Sequence, residues 1–142
     1  MKILVLILLF VVGVYADDTN AVSTAPRVRL PQGGYATVQL PDDVIVWDKD
    51  TIETNVPAST KSVSFVFHFK NISKETVKIL TVRESCGCIK MELPPPVLRA
   101  ADESQIGVTV KLPGIHRDWT NTQTVTVETD KGTKVLKIEI KT

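Results

Sequence analysis

The stretch Val63-Ser64-Phe65-Val66-Phe67-His68-Phe69-Lys70 puts an apolar side chain at every second position. Successive side chains of an extended chain point to opposite faces, so Val63, Phe65, Phe67 and Phe69 share one face and Ser64, Val66, His68 and Lys70 the other. That is the pattern of a strand with one buried face. Working outward, the same period of two returns in Ile106, Val108, Val110 and Leu112, with Gly107, Thr109 and Lys111 opposite. Val125 and Val127 stand against Thr124, Thr126 and Glu128, and Leu136, Ile138 and Ile140 alternate with Lys137, Glu139 and Lys141. Val77–Val82 is apolar on both faces in part, which fits a central strand or one interrupted by a bulge. Ile45–Trp47 adds a short strand ahead of these.

Turn signals separate the rows. Asn71-Ile72-Ser73-Lys74-Glu75 divides two strands, and Asp130-Lys131-Gly132 closes a terminal hairpin. Pro94-Pro95-Pro96 forbids a central strand and fixes a stiff, extended connection. About seven strands and no amphipathic helix predict an all-β domain over residues 42–142. The natural packing is an immunoglobulin-like antiparallel β-sandwich, whose two sheets bury their apolar rows against each other.

Ahead of that domain, Met1-Lys2 precedes an unbroken apolar run from Ile3 to Val14, and Tyr15-Ala16 leads to two aspartates. One positive charge, about a dozen apolar residues and a small closing residue predict a secretory signal peptide over residues 1–16, cleaved after Ala16. The run is shorter than the ~20 residues that span a bilayer, and no other long apolar run exists, so no stable membrane anchor is expected after cleavage. No cysteine follows the run to take a lipid. Residues 17–41 are polar and turn-rich, with Pro26, Pro31, Gly33 and Gly34. They predict a flexible segment in which Arg27–Leu30 and Tyr35–Leu40 form one edge strand.

Cleavage would leave about 126 residues, enough for one domain with a real core. It would also remove Lys2, taking the 17 basic residues to one fewer, equal to the 16 acidic ones. A near-neutral chain whose basic residues are spread singly along strands has no field to steer it to nucleic acid or an anionic membrane. The expected location is exported, either periplasmic or secreted.

The run from Phe65 to Pro94 resembles the bacterial DUF1573 family, related in shape to the immunoglobulin-like domains of the major sperm protein and ASPM–SPD-2–Hydin group. Phe65-x-Phe67-x-Phe69-x-Asn71, apolar Ile79 and Val82, Ser85-Cys86-Gly87-Cys88 and the following prolines carry the resemblance. With the β-rich tail through Lys141 it covers roughly 80–100 residues, typical of such sandwiches. Two departures stand out. Ile89 follows the second cysteine where the family usually has Thr, and Ala100-Ala101-Asp102-Glu103-Ser104 replaces a usual Pro-Gly-Glu-type turn. The resemblance implies an architecture and a compartment, and no activity.

Cys86 and Cys88 are the only cysteines. Two residues apart on an extended strand, their α-carbons would lie about 6.6 Å apart on the same side. That is the long end of the disulfide range, and Gly87 is expected to bend the chain and bring the sulfurs together. Three uses are open to the pair. A local disulfide or two buried thiols clipping a strand end is favoured, and export favours the oxidised form. A redox or thiol-exchange site would lack the Cys-x-x-Cys spacing and helix start that acidify thiols. Paired thiolates also suit Cu(I), whereas zinc would need four ligands and only His68 and His116 remain as nitrogen donors.

His68 lies on an outward row and reads as solvated. His116 sits in the Pro113–Asp118 loop, where His116-Arg117-Asp118 echoes a kinase catalytic loop without its glycine-rich loop or Asp-Phe-Gly segment. Asp42, Asp43, Asp48 and Asp50 lack the Gly and terminal Glu of a calcium loop and read as turn carboxylates. Trp47 reads as a core residue and Trp119 as a loop lid, and Asn71-Ile72-Ser73 matches a glycosylation acceptor only by pattern. No catalytic, cofactor-binding or metal set can be assembled from spacing. The expected function is therefore a protein-binding or structural module of the cell envelope with an unidentified protein partner, not an enzyme. The alternative is a copper-binding or disulfide-exchange protein using Cys86 and Cys88.

Overall fold

A computed structural model describes residues 25–31, 35–114 and 118–142. The predicted signal peptide and His116 lie outside the described residues. The strands are β1 (Arg27–Arg29), β2 (Tyr35–Thr37), β3 (Ile45–Trp47), β4 (Thr51–Asn55), β5 (Ser62–Asn71), β6 (Val77–Glu84), β7 (Ile89–Glu92), β8 (Val97–Leu98), β9 (Glu103–Lys111), β10 (Thr120–Thr129) and β11 (Gly132–Lys141). The rows read from the pattern are β3, β5, β6, β9, β10 and β11, while β4 and β7 and the two-residue β8 are not among them.

The alternating stretch that opens the sequence reading is the body of β5. Phe67 and Phe69 are buried, and Ser64, Val66 and His68 are exposed on the other face. β9 pairs antiparallel with it, setting Val63 against Val110, Phe65 against Val108 and Phe67 against Ile106. The two apolar rows therefore stand side by side. β3 and β7 complete a four-stranded sheet in the order β3-β5-β9-β7. Trp47 pairs with Phe69 across β3 and β5, their ring centroids 4.4 Å apart.

The second sheet has the order β4-β11-β10-β6-β8. Val125 and Val127 on β10, Leu136, Ile138 and Ile140 on β11, Val77 on β6 and Leu98 on β8 turn inward onto Phe67, Ile106, Val108 and Val110. The register between β6 and β10 slips between Glu128 and Thr129, leaving Leu80 unpaired, so Val77–Val82 is a strand with a bulge. From β3 to β10 every connection crosses to the opposite sheet. Within the two large sheets, β10 and β11 are the one pair of consecutive strands that are neighbours among the described residues.

Arg27–Leu30 and Tyr35–Leu40 do not form one edge strand. β1 and β2 pair with each other instead, and the edge is taken by Val38–Leu40. Leu40 N–H donates to Thr133 O and Thr133 N–H to Val38 O, so the chain lies beside the start of β11 before leaving for the other sheet and returning as β4. Leu40 is a core residue, 3% exposed, although its sequence position falls in the segment expected to be flexible. Gly132 makes this approach possible. Its φ is +151°, and a Cβ there would stand 2.7 Å from the Leu40 backbone.

Asn71 ends β5 and is fully buried. Its Nδ2 donates to the carbonyls of Glu75, Leu98 and Arg99 at 2.8, 3.1 and 3.0 Å, and its Oδ1 accepts from Ser73 N and Oγ. Its backbone joins the same knot: its N–H donates to Asp102 O and its carbonyl accepts from Ala101 N. One amide thus closes two corners, the β5–β6 turn and the Arg99–Asp102 turn between β8 and β9. In the second turn Ala101 has φ +67°.

Two substitutions test these corners in urea titrations. Asn71→Ala should lower stability by about 3 kcal/mol, because buried carbonyls left without donors cost about 1–3 kcal/mol each. Ala101→Gly should raise it by roughly 0.5 kcal/mol. Relief of the ~1–2 kcal/mol that a left-handed backbone costs an L-residue exceeds the ~0.4–1 kcal/mol of extra unfolded-chain freedom.

Candidate functional site

Ser85-Cys86-Gly87-Cys88 is the crossing from the end of β6 to the start of β7, from the five-stranded to the four-stranded sheet. Its ends are fastened to different sheets. Ser85 N–H donates to Thr124 O at 3.0 Å, Thr124 N–H donates to Ser85 Oγ at 3.0 Å, and that hydroxyl donates to Gln123 Oε1 at 2.7 Å. On the other side, Lys111 N–H donates to Cys88 O at 2.8 Å. Between them Ile89 N–H donates to Cys86 O at 3.2 Å, closing a four-residue turn.

Cys86 and Cys88 are joined as a disulfide, and among the described residues no cysteine is free. Their α-carbons are 5.2 Å apart, closer than an extended strand would place them, because the segment is a turn. Both are half-buried and pack against the core. Cys88 N–H also donates to Cys86 Sγ at 3.2 Å.

The role expected of Gly87 needs correction. Its φ is not positive, and a Cβ built on it would meet nothing within 4 Å. Neither backbone strain nor crowding inside the chain calls for glycine. The turn is closed by the Cys86–Ile89 hydrogen bond, and apart from its two neighbours nothing crowds Gly87.

The other residues singled out in the sequence do not converge on this turn. His68 is exposed on the outer face of β5, opposite Gln105. Asp50 and Asp42 face Lys134, whose Nζ is 3.1 Å from Asp50 Oδ2 and 3.9 Å from Asp42 Oδ1. The Lys134 ammonium holds the Asp50 carboxyl below its ordinary value, so a lysine supplies the cation there. Among the described residues no group of three or more His, Cys, Asp or Glu gathers as a metal site. Trp47 is half-buried against Phe69, as expected of a core residue. Trp119 is half-buried, and its backbone pairs with Thr142.

Sequence reasoning missed an apolar border on one side of the sandwich. The connection Leu93–Pro96 joins β7, the edge of one sheet, to β8, the edge of the other. Leu93 is 64% exposed and Val97 46%, and Leu80 at the neighbouring bulge is 37% exposed. The proline run signalled the connection. Its position between two free edges comes from strand order, which no local pattern encodes.

A family model described as "Protein of unknown function (DUF1573)" matches residues 45–142. None of the curated proteins matches. Among solved structures, a protein of unknown function from Porphyromonas gingivalis W83 is similar at TM-score 0.58 and 8% identity, over 82% of this chain and 62% of that one. The VesB protease of Vibrio cholerae is similar at TM-score 0.54 and 13% identity over 70% of this chain. This chain spans only 32% of that protease. The ASH/PapD-like domain 7 of human CEP192 is similar at TM-score 0.52 and 10% identity, over 70% of this chain and 85% of that one. At such identities the likeness is one of fold alone, that of an immunoglobulin-like β-sandwich.

The disulfide closes a loop of three residues, for which the chain-entropy relation gives about 1.6 kcal/mol. A variant with Cys86→Ser and Cys88→Ser should therefore keep its far-ultraviolet circular dichroism and lose no more than about 2 kcal/mol in urea titration.

Proposed function

Because the chain belongs to the DUF1573 family and folds as an immunoglobulin-like sandwich, we propose that it is an exported module that works by binding another protein, not by catalysis. A fold shared by a stretch of a protease and by an ASH/PapD-like domain carries no common chemistry, so the reading rests on surfaces and not on likeness. The observation that carries it is the apolar border formed by Leu80, Leu93 and Val97 along the β7–β8 side. Edge strands offer unpaired backbone groups to an incoming extended segment, and exposed apolar side chains beside the edge give that segment an anchor. β7 is such an edge. Leu93 follows it directly, and the three prolines hold the connection stiff. The apolar run at the N-terminus and the disulfide are what an envelope or extracellular location would favour.

The partner is read as a protein with an extended, partly apolar segment. A photo-crosslinking residue at position 93, compared with one at the exposed Thr122, tests this in the envelope fraction of a producing bacterium. Position 93 should give a discrete adduct that Thr122 does not, and Leu93→Asp with Val97→Asp should cut it about tenfold or more at a crosslinker placed at position 90. Equal labelling at both positions, or an adduct indifferent to the two aspartates, would remove the reading. The same fractions should yield a mature N-terminus at Asp17.

A further inference from the structure

We propose that the Cys86–Cys88 disulfide is a thiol-exchange site, in which an incoming thiolate attacks Cys88 Sγ and Cys86 Sγ leaves. The proposal is independent of the docking reading, since it rests on the turn and not on the β7–β8 border. Three observations carry it.

The first is access. Gly87 is exposed, and nothing in the chain lies within 4 Å of where its side chain would be. Neither its φ nor its packing requires glycine. Cys86 and Cys88 on either side of it are only half-buried, so the turn that carries the disulfide meets solvent.

The second is polarity. Cys88 N–H already points at Cys86 Sγ from 3.2 Å. A donor on one sulfur stabilises the negative charge that develops there when the bond breaks, which makes it the better leaving group. The two cysteines are thus unequal, and the inequality sets the direction of attack.

The third is the frame. Thr124 holds Ser85 and Lys111 holds Cys88, so the turn stays in place whether or not the sulfurs are joined. Thiols released by reduction remain side by side, and reclosure is intramolecular.

The chemistry balances with a dithiol as reductant. Its thiolate forms a bond to Cys88 Sγ, the Cys86–Cys88 bond breaks, and the electron pair goes to Cys86 Sγ, which the Cys88 N–H holds. The reagent's second thiolate then attacks its own sulfur in the mixed disulfide and releases Cys88 as thiolate. Two electrons enter the protein, and the dithiol leaves as a disulfide. Run with the cysteines of a client protein as the dithiol, the same steps would oxidise the client.

The purified protein, treated with increasing dithiothreitol under native conditions and quenched with a mass-tagging alkylator, tests the proposal. The expected reduction rate rises in proportion to thiolate concentration and exceeds the global unfolding rate, measured by denaturant jump, by about tenfold or more. The circular dichroism should stay unchanged, and oxidised glutathione should restore the bond. A rate that levels off at the unfolding rate, or reduction that needs denaturant, would make the bond purely structural and overturn the proposal. The direction is read separately. In single-cysteine variants, Cys86 (with Cys88→Ser) should react with iodoacetamide with a lower apparent pKa than Cys88 (with Cys86→Ser). Equal or reversed values would overturn the assigned direction.

Discussion

Burial of two apolar rows against each other holds together strands that ladder hydrogen bonds never join in sequence order. From β3 to β10 each strand lies in the sheet opposite its predecessor. Phe67, Ile106, Val108 and Val110 on one sheet therefore meet Val77, Leu98, Val125, Val127, Leu136, Ile138 and Ile140 on the other only through side-chain contact. Each such side chain contributes about 1.5–3 kcal/mol when fully buried. Removing one weakens both sheets at once, since neither has another apolar surface to cover its inner face. A chain that must cross before it can pair also makes most of its contacts over long sequence separations, which slows folding relative to hairpin-built β proteins.

Crossing corners pose the opposite problem. Their backbone groups are turned away from the ladders and partly buried, so they need partners of their own. Asn71 meets this need at two corners with one side chain. Thr129 does so at the β10–β11 hairpin, where its Oγ1 donates to Gly132 O at 2.8 Å and accepts from Gly132 N and Lys131 N, both at 3.1 Å. Gly132 then lets the Gln39–Leu40 backbone pass against the hairpin. A threonine and a glycine at a tight turn, and an asparagine closing a strand, thus determine where the apolar rows end.

Period-two patterning made the long strands legible because their two faces differ in solvent exposure. It placed β5, β9, β10 and β11 and their buried rows, and it left Val77–Val82 as a central strand or a bulged one; β6 is both, flanked by β10 and β8 and bulged at Leu80. Where a segment is held by one or two backbone bonds, the pattern is silent. Leu40 is a core residue inside a stretch whose composition reads as flexible, because the strand that covers it belongs to residues some ninety positions later. Asn71 was visible only as part of a motif and a turn. Its side chain bonds Ser73 and Glu75 in one turn and Leu98 and Arg99 at the end of β8, and no local rule brings those two stretches together. At the cysteine pair, chemistry and spacing were legible, but the geometry was not. An extended-strand reading sets the α-carbons too far apart and gives Gly87 a bending role that the Cys86–Ile89 hydrogen bond fills.

That difference changes what the disulfide is for. A bond joining distant strands stabilises by removing a large loop from the unfolded ensemble, and its loss would loosen the sandwich. This one spans three residues at a crossing already tied to β10 and β9 by backbone hydrogen bonds, so it adds little that the ladders do not supply. Stability alone therefore does not account for two half-buried sulfurs joined beside an exposed glycine, one of them carrying a backbone donor. The hydrogen bonds that tie Ser85 to β10 and Cys88 to β9 hold the backbone on both sides of the sulfurs. In the proposed exchange that frame is what would keep the two sulfurs facing each other while the bond opens and closes.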